Sequence, residues 1–191
     1  MSQFQAPRTM ILLDPELEPD PAPPSIAPER RTVPATSRHL ALPSLRSLSN
    51  FLARAQAAVR LRGQVTVLLT TDSAVRALNR RFRRKNRPTD VLSFPAAPIQ
   101  NTKPVERVAG DLAISVETAR RQAEACGHSL AIETKILILH GLLHLAGYDH
   151  EADAGQMNRR ERLLRARLRL PHGLIERETP PTARSTAGGL Q

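Results

Sequence analysis

His140, His144 and His150 are the residues of this 191-residue chain whose types and spacing point most directly to chemistry. They close its most apolar stretch, residues 129–146, where from Ile136 to Leu145 every residue is aliphatic except His140, Gly141 and His144. A helix that is apolar all round belongs in a core. Residues four apart project from one face of it. Gly147 supplies the left-handed conformation that ends such a helix, and the turn brings His150 within reach of the other two. Zinc binds imidazole nitrogen at ~2.0–2.1 Å, and catalytic zinc keeps three protein ligands and one open position. One Zn2+ per chain is therefore the expected cofactor. The alternative is three separate histidines, each with its own hydrogen bond. Two of them on one face of a greasy helix would each need a partner, because an unpaired buried polar group costs ~1–3 kcal/mol. A shared metal satisfies both at once.

The spacing His-x3-His-x5-His is also that of the metzincin proteases, which place a glutamate general base directly after the first histidine. Here that position is Gly141, which cannot accept a proton. A zincin-like metallopeptidase is thereby the weaker reading. The whole run from His140 to His150, His-Gly-Leu-Leu-His-Leu-Ala-Gly-Tyr-Asp-His, resembles the signature of the YbeY family of bacterial endoribonucleases. Three upstream segments match in order: Leu78-Asn-Arg-Arg-Phe-Arg83, Pro88-Thr-Asp-Val-Leu-Ser-Phe-Pro95 and Gly110-Asp-Leu-Ala-Ile-Ser115. Met157 and Glu161 fit the family's final helix. The resemblance implies a single-strand-specific, zinc-dependent endoribonuclease that matures ribosomal RNA, notably the 3′ end of the small-subunit RNA, and serves ribosome quality control. Its partners would be rRNA precursors and the ribosome or small ribosomal subunit. It also places Arg83 in the cleft as a catalytic residue. Guanidinium holds phosphate oxygens bidentately and can neutralise charge developing on them. The general base is not evident; metal-bound hydroxide or a ribose 2′-hydroxyl would serve.

The charge fits such a substrate. With 28 basic against 18 acidic residues the chain carries +10 and has a pI near 11.3, which favours polyanions. Arg80, Arg84, Lys85 and Arg87 crowd around Arg83 and are read either as RNA contacts or as a solvated face. Arg159, Arg160, Arg162, Arg165, Arg167 and Arg169 form a second basic set, an outward-facing secondary RNA surface. Aromatic residues are only 3% of the chain, four Phe and one Tyr. Phe82 and Phe94 read as core, so RNA is expected to be held mainly through phosphates, with weak intrinsic sequence selectivity. Asp149 either orients a ligand imidazole or satisfies backbone amides in the turn. A non-catalytic ribosome-binding metalloprotein would also explain the charge, but structural zinc usually has four, cysteine-rich ligands.

The elements that must position these residues follow from periodicity. Residues 9–13 read as a strand, and prolines then recur from Pro15 to Pro34. Residues 44–60 repeat apolar positions at three and four, the mark of an amphipathic helix. Residues 64–70 are a β-branched strand. A helix capped by Thr71 or Asp72 runs to about Arg83, with Val75, Leu78 and Phe82 on one side. Strands at 90–94 and 111–115 flank a loop at 98–106. Helices at 116–126 and 152–168 stand on either side of the metal helix. The expected architecture is α+β and zincin-like: a small mixed four-stranded sheet packed against helices, with a central metal-bearing helix. The chain divides into an N-terminal strand (1–14), a Pro-rich disordered insertion (15–37), the endoribonuclease domain (38–170) and a disordered tail (171–191). No stretch reaches the ~20 apolar residues of a membrane span. A single cysteine, Cys126, suits a cytoplasmic protein and is read as a small buried hydrophobe.

Overall fold

The computed structural model describes residues 9–17, 42–97, 107–150 and 152–171. The loop at 98–106, most of the Pro-rich segment and the tail beyond residue 171 lie outside the described residues. Four strands, β1 (Met10–Leu13), β2 (Gln64–Thr70), β3 (Val91–Pro95) and β4 (Val108–Ser115), form one mixed sheet in the order β1-β2-β4-β3. β1 runs parallel to β2 and β2 parallel to β4, while β3 is antiparallel to β4. Five helices accompany it: α1 (Leu45–Val59), α2 (Asp72–Arg83), α3 (Val116–Ala125), α4 (Leu130–Leu145) and α5 (Gln156–Leu168). The expected α+β domain with a mixed four-stranded sheet is what the chain forms. No described helix is long and apolar enough to cross a membrane.

Alternation along the strands assigns the two faces of the sheet. On β4, Leu112 and Ile114 join the main core together with Val65, Val67 and Leu69 of β2. Ala113 points the other way, into a smaller cluster with Val75 of α2 and Leu92 of β3. α4 lies in the main core, where Ile136, Leu137, Ile138, Leu139, Leu142 and Leu143 are all fully buried. Each such side chain contributes about 1.5–3 kcal/mol of burial. That all-round burial is why α4 needs no polar face, and why the base of the histidine site is rigid. α1 covers α4 with Leu48, Phe51, Leu52 and Ala55. Gln56 ties its exit, donating to the carbonyls of Leu61 (3.2 Å) and Gly63 (2.6 Å).

Gly141 explains how closely α4 approaches the sheet. A Cβ at this position would stand 2.7 Å from Leu112 Cδ2. A side chain here would therefore start into the sheet, not into the cleft that the histidines face. The position that carries a base in metzincins is, in this chain, a packing position.

Four features differ from the sequence-based expectations. β4 begins at Val108 because its early residues continue the pairing with β2. α5 begins at Gln156, since Ala154 (φ 50°) and Gly155 (φ 80°) turn the chain left-handed just before it. Cys126 is exposed, as the last residue of its helix end rather than part of the core. Pro15–Leu17 form a short 3-10 turn, with Leu17 against the core and Asp14 accepting a hydrogen bond from Thr70.

Candidate metal centre

Three imidazoles converge where α4 ends. His140 Nε2 and His144 Nε2 lie 3.1 Å apart. The three ring centroids are separated by 4.8, 5.6 and 5.3 Å. One ligand nitrogen from each of His140, His144 and His150 falls within 4.8 Å of the others. The local sequence makes this arrangement. α4 stops at Ala146, and Gly147 adopts φ 90°. The Gly147 and Tyr148 amides then bond back to the carbonyls of His144 (3.0 Å) and Leu143 (3.1 Å), a helix-end pattern that folds the chain over its own last turn.

The protonation of the site follows from its neighbours. Glu161 Oε2 lies 3.0 Å from His140 Nδ1. A carboxylate only accepts, so Nδ1 carries the hydrogen and Nε2 keeps its lone pair toward the other rings. Partners of this kind fix the tautomer and orientation of metal-binding imidazoles. Glu161 is buried, and burial alone would raise its pKa; the bonds from His140 and Arg165 outweigh that and hold it below the usual value. Burial pushes His144 down to about 4, with the neighbouring His140 and His150 adding to the shift and Asp149 opposing it. His144 is thus a neutral donor at pH 7, the form a metal requires. Three imidazoles with an anionic partner behind one of them form a donor set that suits a transition metal.

That Glu161 and Arg165 together brace His140 is what the sequence reading of the last helix missed. Arg165 is only 1% exposed and donates through Nε (2.8 Å) and Nη2 to Glu161, and through Nη1 to the Pro171 carbonyl (3.0 Å). It is not an outward-facing RNA contact. Its guanidinium neutralises the carboxylate that braces His140. The signal was present: Met157, Glu161, Leu164, Arg165 and Leu168 share the buried stripe of α5. Arg160 is half-buried and donates to the Ala58 carbonyl (3.3 Å), whereas Arg159, Arg162, Arg167 and Arg169 are exposed. Arg165→Ala is therefore expected to cost about 3–5 kcal/mol, the penalty for stranding a buried charge. A thermal melt beside Arg167→Ala, which should change little, checks it. Glu161→Gln leaves the buried Arg165 charge without its carboxylate and should lower the melting temperature in the same way, while the folded protein should bind metal ~10–100-fold more weakly, read by competition with a chromogenic chelator.

The histidines open into a cleft of about 870 Å³ whose other wall is the end of α2 and the segment after it. Arg83, Lys85 and Arg87 line this cleft, as do Asp90, Ser93, Tyr148 and Asp149. Arg80 and Arg84 are exposed but lie outside the lining. Arg83 is the last residue of α2, which Arg84 ends in a left-handed conformation (φ 57°). Buried Asn79 then holds the basic segment in place, donating to the Arg87 carbonyl (2.7 Å). Asp90 stands just before β3, its carboxylate accepting from the Val91 amide (2.7 Å) and from Gln122 (3.0 Å). Asp149 is exposed beside His144, and its carbonyl accepts from the amides of Ala152 and Asp153. The sequence-based placing of Phe82 in the core is corrected: it is 56% exposed, at the cleft wall.

A family model described as Endoribonuclease YbeY matches residues 33–169, which span α1 to α5 and every site residue named above. The chain is 53% identical over 148 residues to the Endoribonuclease YbeY of Koribacter versatilis (strain Ellin345), covering 78% of this chain and 93% of that protein. It is 45% identical over 147 residues to the Endoribonuclease YbeY of Solibacter usitatus (strain Ellin6076), covering 77% and 90%.

Proposed function

Because this chain belongs to the YbeY endoribonuclease family, we propose that it is a zinc-dependent, single-strand-specific endoribonuclease of the cytoplasm. Its substrates are rRNA precursors, its main task the 3′ end of the small-subunit RNA, and it serves ribosome quality control in contact with the ribosome or its small subunit. The observation that carries the reading is one cleft that holds both a three-imidazole donor set and Arg83. The arrangement of α4 beside the sheet is read as zincin-like.

His140, His144 and His150 would hold the ion, with Glu161 fixing the first of them. Zinc bound there would supply Lewis acidity toward a phosphate oxygen and acidify water, as three-ligand sites do. Arg83 places its fork on the scissile phosphate and neutralises the charge that grows on its oxygens. Lys85 and Arg87 hold the flanking phosphates along the cleft wall, and Arg80 and Arg84 extend that positive edge. Asp149 stands beside His144 and favours the orientation of that end of the site. Because position 141 points into the sheet, proton removal from the attacking hydroxyl falls to groups other than a metzincin-type glutamate.

This reading is tested by single-turnover cleavage of a single-stranded RNA and of the same RNA annealed to its complement. The single strand should be cut and the duplex left intact. Equal cleavage of both would overturn the single-strand assignment. Neither being cut by zinc-loaded protein would overturn the nuclease assignment for this site.

A further inference from the structure

Phe82 is a large apolar side chain that the fold leaves in water. At 56% exposure it is the most exposed aromatic among the described residues, although it lies on the same side of α2 as Val75, which is fully buried. Its ring meets Phe94 edge to face, with centroids 5.1 Å apart and planes at 69°. That geometry braces the ring and still leaves a π-face without an aromatic partner. Phe94 is in turn packed against Val75, Leu92 and Ala113, so the brace is anchored in the small core. The Arg81 guanidinium stands 5.2 Å from the Phe82 ring centre, within the range of cation–π contact.

The position of this pair is what gives it a meaning. The chain has four Phe and one Tyr, and three of those five, Phe82, Phe94 and Tyr148, line the cleft of the histidines and Arg83. A chain so poor in rings has gathered most of them at one wall. An exposed ring flanked by Arg81 and Arg83 matches the pairing of stacking platform and phosphate-binding cations by which proteins hold single strands. A paired base cannot offer its face; an unstacked base in a single strand can.

We propose that Phe82, braced by Phe94, is the platform on which one base of the substrate strand stacks beside the metal centre. It is a positioning residue: it sets which nucleotide stands next to the phosphate that Arg83 holds. The inference rests on the RNA-cleaving reading and adds to it a reason for single-strand preference. It also adds base stacking to the expected binding through phosphates.

The test uses the full chain loaded with zinc and a short 2′-O-methyl oligonucleotide, intact or abasic at each position in turn. The chain contains no Trp, so Phe82→Trp places a sole indole at the wall. Its emission should be quenched on binding the intact strand, and less so when one particular position is abasic. Phe82→Leu should keep the melting temperature and weaken binding of the intact strand about tenfold, the loss of roughly one stacked base. On a cleavable RNA it should raise KM with kcat nearly unchanged, and Phe82→Tyr should restore both. If the strand binds wild type and Phe82→Leu equally, without quenching in the Phe82→Trp variant, the platform is overturned while RNA recognition stands. If no strand binds wild type, the nuclease reading fails and the platform with it.

Discussion

His144→Ala is expected to empty the metal centre and abolish cleavage. His144 is the middle ligand: its Nε2 is 3.1 Å from that of His140, and its ring stands 5.3 Å from that of His150. The substitution leaves two imidazoles that no longer converge on one point. Loss of an outer partner alone weakens a site by ~10–100-fold, and loss of a direct ligand should exceed that. The metal-free fold should survive, because the core is made by the aliphatic residues of α4 and not by this ring. Burial holds His144 neutral in the absence of metal, so its removal uncovers no buried charge. Zinc content after dialysis, measured beside the melting temperature of the metal-free protein, checks both statements. Retention of a full equivalent of zinc would remove His144 from the site.

Arg83→Ala should separate phosphate handling from metal binding. Guanidinium stays protonated and has no lone pair to donate, so it takes no part in holding the ion. Arg83 is exposed at the end of α2, so its loss should leave stability and zinc content unchanged. Cleavage under single-turnover conditions should nevertheless fall by ~10²–10³, the usual effect of deleting one preorganised electrostatic contact. Arg83→Lys should recover only part of this, since an ammonium keeps the charge and loses the fork. Near-normal cleavage by zinc-loaded Arg83→Ala would reduce the residue to one more solvated cation.

The convergence of the three histidines was legible because its signal is local. An i, i+4 histidine pair, a helix-ending glycine and one further histidine specify the triangle without reference to the rest of the chain. The all-round apolar run of α4 likewise announced its own burial, and the β-branched content of residues 64–70 announced the strand β2. What could not be read depends on which neighbour covers a face. Phe82 lies on the apolar stripe of Val75 and Leu78, but in the last turn of α2 its ring is braced by Phe94 and stays 56% exposed, and periodicity carries no information about where a covering layer stops. Arg165 shows the converse error. Counting arginines on α5 suggested an outward surface, whereas the i, i+4 pair with Glu161 folds inward behind His140. Gly141 was read as a missing base; its physical reason, contact with Leu112, appears only when α4 is laid on the sheet.

If this cleft cleaves RNA, it should do so only through a metal held by the histidines. Zinc-loaded protein, the same protein stripped by chelator, and the stripped protein given zinc again should each be incubated with a single-stranded RNA and with casein. The account predicts that RNA is cut by the first and third preparations, survives the second, and that casein stays intact in all three. Digestion of casein with RNA left whole, or RNA cleavage that persists at full rate after the metal is removed, would contradict it.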